Sequence, residues 1–418
     1  MRPGGSPSPS KKASARDFRL FWWANAADAL GTQASGAVLP LLLLGLGHSP
    51  QTAGLVAGLS LAAGLLLGPL AAVPADRGAR KAIMVWSAAV AALAMGSIAV
   101  TLVVGHLTLP HLVVAVLVER FATACHDAAS RGTVALVCPP GDQPRAVARL
   151  ASADQGALVL GPALGGAAYQ LFRALPFVAD ALSYAVVACC VRAMRTDLKA
   201  GDVPSDDPDN PGRSGDSDDG LLREAAAGLR LVRRRPLLRL VLTWVALVNG
   251  VAVTLYYSAV FVLERSGTGA LPLGLVLAVT GAAGLAGSLA APRAAARLGA
   301  ARILIVVTWL LVPLTAALAL ADGPWTYGVL LGGISLLLPL PAVVLQARAL
   351  LTTEPQLQAR VGAVIATASG ATAALAPVLA GLFADQVDSA VPALGCAALL
   401  VLLAAYTTRR AALTEAAA

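Results

Sequence analysis

Apolar runs, each close to the length that crosses a bilayer, alternate along the chain with short breaks rich in Gly, Pro and charge, a pattern that predicts membrane-spanning helices. Six runs lie near residues 18–46, 52–73, 82–105, 110–137, 146–171 and 175–194, and six more near 237–263, 272–292, 302–321, 325–347, 359–384 and 389–408. The predicted fold class is all-α integral membrane, with twelve transmembrane helices in two pseudo-symmetric six-helix bundles. Residues 1–17 read as a disordered cytoplasmic tail, 18–195 as the first bundle, 237–408 as the second and 409–418 as a cytoplasmic tail. Between the bundles, 196–236 reads as a cytoplasmic linker: TDLKAGDVPSDDPDNPGRSGDSDDG has no apolar periodicity, and LLREAAAGLRLVRRRP sets Leu221, Ala225, Leu229 and Val232 against Arg, as in a short amphipathic helix at the membrane surface.

The two halves are related. A shift of 220 residues lays GLVAGLSLAAGLLLGPLAAVPADR (54–77) over GLVLAVTGAAGLAGSLAAPRAAAR (274–297) with ten identities in twenty-four positions, Arg77 over Arg297 among them. A shift of 215 lays the fifth span over the eleventh, matching Arg145 to Arg360, Pro162 to Pro377 and Gly166 to Gly381. Six-helix halves in parallel repeat are the build of transporters that rock about a ligand site at mid-membrane depth. Of the 31 Lys and Arg, all but Arg120, Arg173 and Arg265 fall at the termini or in connections on one side. By the positive-inside rule both termini are cytoplasmic, in a multi-pass protein of the cell membrane.

Composition narrows the classes. The chain of 418 residues is 57% apolar and 13% charged, with mean hydropathy +0.75, which a soluble domain of this size does not reach. The net charge of +8 follows from the inner-side cations and does not signal a nucleic-acid partner. Cys125, Cys138, Cys189, Cys190 and Cys396 form no CxxC pair and meet no His cluster, so neither a metal nor another cofactor is expected. No Lys follows a Gly, as an ATP-binding P-loop requires. Asp206-Asp207-Pro208-Asp209 sits in the linker rather than at a helix end, and an enzyme is not expected.

Ionisable groups at bilayer depth are costly and mark candidate function. Asp28 lies about ten residues into the first span, ~15 Å deep at the helical rise, on a stripe with Asn25, Thr32 and Ser35. In the fourth span Glu119, Thr123, His126 and Ser130 share a stripe, with Arg120, Asp127 and Arg131 beside it and Asp127 spaced to pair with Arg131. Asp28, Glu119 and Asp127 are the proton-coupling candidates; an arginine approaching or leaving Glu119 would change how firmly it holds a proton. Asn25, Thr32, Arg120, Thr123, Asn249 and Tyr256 are the substrate-cavity candidates. His126 is expected to bond within the fourth-span network, Asp154 to pair with Arg149 or Arg131, and Asp180, on a peripheral sixth span, to be structural.

The loop Ala72-Val73-Pro74-Ala75-Asp76-Arg77-Gly78-Ala79-Arg80-Lys81 is similar to the G-x-L-A-D-R-x-G-R-K signature of the major facilitator superfamily, with Ala72 in place of its leading Gly. Gly161-Pro162-Ala163-Leu164-Gly165-Gly166 matches the G-P-x-x-G-G core of the antiporter motif. FRLFWWANAADALG, LPFVADALSYAVVA and GLRLVRRRPLLR also resemble the superfamily's drug/proton antiporter branch, which includes macrolide and siderophore exporters. The resemblance spans nearly the whole chain. It implies a secondary transporter, sufficient as a monomer, that exports a small amphipathic molecule (drug, antibiotic or other secondary metabolite) in exchange for protons by alternating access. Its partners would be the lipid bilayer, the small-molecule substrate and protons. It also implies that spans one, four, seven and ten line the cavity, and that Asp76 meets the start of the eleventh span and Arg131 in a conformational latch with Arg77, Arg80 and Lys81. Gly161, Pro162, Gly165 and Gly166 would then pack the fifth span closely on another helix. An importer of the same fold, or a non-transporting membrane enzyme or receptor, is the alternative.

Overall fold

The structure, a computed structural model, describes residues 9–76, 80–130, 133–139, 141–196, 230–386 and 390–410. The first half contains α1 (Pro9–Gly45), α2 (Pro50–Asp76), α3 (Arg80–Val104), α4 (Leu109–Ser130), the short α5 (Thr133–Val137), α6 (Gln143–Leu171) and α7 (Leu175–Ala193). After it come α8 (Pro236–Arg265), α9 (Ala270–Leu298), α10 (Ala300–Ala317), a 3₁₀ turn (Leu318–Leu320), α11 (Pro324–Leu337), α12 (Pro339–Leu351), α13 (Pro355–Gln386) and α14 (Ala390–Arg410). Ten helices among the described residues are long and apolar enough to cross a membrane; α4 and α6, which carry Glu119, Arg120, Asp127 and Asp154, are not among the ten. The chain is an all-α, multi-span membrane protein.

Proline punctuates the elements. Pro50, Pro236, Pro324 and Pro355 open their helices, where the missing N–H has no intrahelical partner to lose. Where a single helix over 325–347 is predicted, the helix pauses at Leu338 and restarts at Pro339, because Pro339 and Pro341 supply no donors and their rings crowd the preceding turn. Residues 9–17, read above as a disordered tail, are the helical start of α1, consistent with the helix-forming Lys and Ala of KKASAR. Gly299 alone joins α9 to α10 at φ +77°, a backbone state that favours glycine. Residues 230–234 are helical within the expected amphipathic stretch, and 197–229 lie outside the described residues.

The chain forms two compact units, residues 1–39 with 63–204 and residues 40–62 with 205–418, and Pro40 inside α1 stands where they divide. In the first unit α3 packs on α4 and α7, around a core of Phe21, Met84, Ala88, Val187, Val191 and Met194. In the second, α8 packs on α13, α9 on α11 and α12, and α10 on α14. Trp244 of α8 is buried there and donates its indole N–H to Thr308 Oγ1 at 3.0 Å. Gly54 and Gly58 of α2 also belong to this unit and lie against the backbone of α13, where a Cβ on Gly58 would stand 2.6 Å from the Ala374 carbonyl oxygen.

A clasp closes the first unit. Asp17 is fully buried, and its Oδ2 accepts hydrogen bonds from Arg195 N (3.0 Å), Thr196 N (2.7 Å) and Thr196 Oγ1 (2.6 Å), just past the end of α7. Lys81 Nζ donates to the Met194 carbonyl beside it. Asp17→Ala strands two part-buried backbone donors, each worth about 1 kcal/mol. Its thermal midpoint in detergent should fall by several degrees, and Asp17→Asn, which keeps one acceptor oxygen, should lose less; a midpoint equal to that of the native chain would show the clasp to be incidental.

Candidate functional site

Helix α1 sends its polar stripe toward its neighbours in the first unit. Asn25 Nδ2 donates to Asp154 Oδ1 of α6 at 2.7 Å, Thr32 Oγ1 lies 3.2 Å from Tyr184 Oη of α7, and Ser35 Oγ donates to Asp180 Oδ2 at 2.6 Å. Three of the four stripe positions therefore tie helices together. Gly31, between them, has no side chain where Asp180 Oδ1 and Ser183 Oγ press in; a Cβ there would stand 2.6 Å from the carboxylate oxygen. Asp154 is thus held by Asn25 rather than by Arg149. Asp180, almost fully buried, bonds α1 through Ser35, a structural tie.

Glu119 of α4 is 3% exposed and fully engaged. Its Oε1 accepts from Tyr184 Oη at 2.6 Å and from Thr123 Oγ1 at 3.0 Å, and its Oε2 lies 3.2 Å from Arg120 Nε. Since the Tyr184 proton goes to Glu119, the Thr32 hydroxyl is left to donate to Tyr184 Oη, giving a run of hydrogen bonds from α1 through α7 to α4. Charge-assisted bonds of this kind are the stronger sort. Asp28 differs: its Oδ1 is buried with no hydrogen-bond partner. A narrow crevice lined by Asp28, Ser87, Thr123, His126 and Tyr184 opens beside it. His126 Nδ1 bonds the Met84 carbonyl of α3 at 3.4 Å rather than a group of its own helix.

The other candidates scatter. Asp127 is exposed on α4, and Arg131 lies outside the described residues, as does Arg77. Asp76 ends α2 with its side chain outside the described set, Arg80 opens α3, and Lys81 joins the clasp above. Gly161, Pro162, Gly165 and Gly166 are buried on α6; a Cβ at Gly161 would stand 2.5 Å from Gln33 Cβ, and one at Gly165 would overlap the Ala34 carbonyl. In the second unit Asn249 Nδ2 donates to the Ser369 carbonyl at 2.9 Å and Thr372 Oγ1 to the Ala246 carbonyl at 2.8 Å, so Asn249 ties α8 to α13. Tyr256 stacks edge-on against Tyr257 at 5.2 Å.

Tyr184 is the main residue that the sequence reading passed over. Asp180, Ser183 and Tyr184 recur at i, i+3 and i+4, the spacing that marked the stripe on the first span, and the same test applied to LPFVADALSYAVVA would have found it.

The sequence profile described as Major Facilitator Superfamily matches residues 21–347. The chain belongs to this superfamily. No curated protein matches the sequence. Among solved structures, this superfamily member is similar to a bacterial homologue of the human lysosomal transporter Spinster in an inward-facing, unoccupied conformation, with TM-score 0.70, 15% identity and 99% of each chain covered. It is similar to the nucleoside transporter NupG (TM-score 0.67, 13% identity, 95% of this chain and 98% of that one). It is similar also to a bacterial homologue of the iron transporter ferroportin in an inward-facing state (TM-score 0.70, 14% identity, 94% and 99%). The names point to no shared cargo, and the likeness is one of fold. As a superfamily member the protein is a multi-pass secondary transporter of the plasma membrane, not an enzyme.

Proposed function

We propose that the protein is a proton-coupled exporter of a small amphipathic molecule, neutral or cationic, working as a monomer by alternating access of two pseudo-symmetric six-helix bundles with twelve spans and both termini in the cytoplasm. The pairing of first with fifth span (α1 with α6) and of seventh with eleventh (α8 with α13) supports the repeat. So does the pairing of third with sixth (α3 with α7) and of ninth with twelfth (α10 with α14). The Gly161-Pro162…Gly165-Gly166 match favours export over import, and the loop from Asp76 to Lys81 is assigned the latch on its match to the superfamily signature. Asp127 is left with a secondary role in coupling.

One observation carries the proton assignment. Glu119 has both oxygens committed to donors, whereas Asp28 keeps a buried oxygen without a partner; Asp17 Oδ1 is also without one, but the other Asp17 oxygen is held by three donors in the clasp, away from this group. A buried, unpaired acceptor is costly unless something else occupies it, and a proton is the smallest occupant. Asp28 is accordingly the carrier, and Glu119 with Tyr184, Thr123 and Arg120 the frame that positions α1 against α4.

The test is transport by the full chain in proteoliposomes under an imposed pH gradient, across a panel of amphipathic amines, neutral macrocycles and organic anions. Export of amines or macrocycles should accelerate when protons run the opposite way, and Asp28→Asn should lose that acceleration while retaining passive exchange. Movement indifferent to the gradient would overturn proton coupling, and uptake driven by it would make the protein an importer.

A further inference from the structure

Away from the Asp28 and Glu119 group, the starts of α1 and α6 enclose a cavity of about 480 Å³, lined by Phe18, Arg19, Trp22, Trp23, Arg149 and Ser152, all in the first unit. Its walls are built in part by fixed contacts. Trp22 Nε1 donates to the Arg149 carbonyl at 3.2 Å, which ties α1 to α6, and the Trp22 and Trp23 rings meet edge-on at 4.9 Å. Ser152 Oγ is turned to the Ala148 carbonyl at 2.7 Å and presents little polarity to the space. Trp23 is 60% exposed, a large apolar face that no other part of the unit covers.

The lining charges are basic, and the neighbouring carboxylate, Asp154, accepts a hydrogen bond from Asn25. Arg19 and Arg149 line the cavity, Arg16 and Arg145 are exposed about one turn away on the same helices, and among the described residues no carboxylate forms an ion pair with Arg19 or Arg149. The apolar run of α1 begins near Phe18, just past the basic positions Lys11, Lys12 and Arg16, so the cavity lies at the level where apolar chain gives way to polar surface. Tryptophan and arginine are both suited to that level, the ring to the acyl boundary and the guanidinium to phosphate. A cleft with two cations at its polar rim and an uncovered aromatic wall below matches a molecule with an anionic head and a hydrocarbon tail.

We propose that this cavity binds an anionic phospholipid, its phosphate held by Arg19 and Arg149 and its acyl chain laid against Phe18 and Trp23. The bound lipid would clamp the starts of α1 and α6 together and so stabilise the first unit in proportion to its occupancy.

Native mass spectrometry of the purified full chain, titrated with phosphatidylglycerol or with phosphatidylcholine of the same acyl chains, tests this. Phosphatidylglycerol should bind about tenfold more tightly or better, as two basic residues near the surface warrant. In the double variant Arg19→Gln, Arg149→Gln the preference should fall to about twofold or less, while Arg293→Gln keeps it. Should the double variant not fold, brominated phosphatidylglycerol provides a second reading, since it should quench the native chain more than Trp23→Phe. Equal binding of the two lipids, a preference untouched by the double variant, or no Trp23-dependent quenching would overturn the proposal. So would glycerol phosphate binding as tightly as the whole lipid, which would make this a site for soluble anions.

Discussion

Gly165→Leu should leave little folded protein to purify. The residue lies on α6 with the Ala34 backbone of α1 directly against it, so an added side chain meets carbonyl and Cα atoms that no rotamer change can move. Relief requires the two helices to separate, and that pulls on Asn25 with Asp154 and on Trp22 with Arg149, the bonds that join the same pair. The expected cost is about 4 kcal/mol or more, in the range reserved for core disruption. Gly165→Ala, with one methyl to place, should be milder but still clearly destabilised. The control lies on the same helix: nothing stands within 4 Å of a Cβ at Gly156, and Gly156→Leu should be tolerated or slightly stabilised by its better helix propensity. Yield and thermal midpoint in detergent for the three variants check this. A Gly165→Leu protein as stable as Gly156→Leu would mean that the closeness of α1 and α6 is not what requires the small residues.

What sequence reveals here divides along physical lines. Helix positions follow from hydrophobic length, a one-dimensional property, and most helices of the structure start and stop within a few residues of the apolar runs, while α9 continues six residues beyond its predicted end to Leu298 because the small, apolar Ala-rich turn before Gly299 stays helical despite Arg293 and Arg297. The pause at Leu338 was missed because LPLP is as apolar as its flanks, and hydropathy does not register a lost N–H. Asp17 was missed because the polar segment around it suggested a tail, although burial depends on what the end of α7 brings to it. Within the site, depth alone singled out Asp28 and Glu119 but could not distinguish them. What separates them is Tyr184 of α7, 65 residues from Glu119 along the chain, and only folding brings its hydroxyl to the Glu119 carboxylate and leaves the Asp28 oxygen without a donor. The stripe on the first span was legible as polar, while its bonding to α6 and α7 was not, since periodicity fixes a face and says nothing of what the face meets.

Glu119 and Asp28 should separate cleanly in variants. Glu119→Ala removes the acceptor for Tyr184 and Thr123 and leaves Arg120, 29% exposed, without its carboxylate. Arg120 reaches solvent in part, so the main cost is the two hydroxyls left without their acceptor, roughly 1–3 kcal/mol each, and this variant should be clearly less stable whatever its part in transport. Glu119→Gln keeps an oxygen to accept from Tyr184 and should recover most of that stability. If Glu119 only frames the site, transport by the purified Glu119→Gln chain in proteoliposomes will still accelerate with a pH gradient, at a rate within severalfold of the native chain, because its proton never takes part. Asp28→Asn should show the reverse: thermal stability close to native, since its free oxygen held nothing, and transport that no longer responds to the gradient. A Glu119→Gln protein that is stable yet uncoupled, beside an Asp28→Asn protein that couples normally, would exchange the two roles and make the Tyr184 hydroxyl the switch for a titrating Glu119.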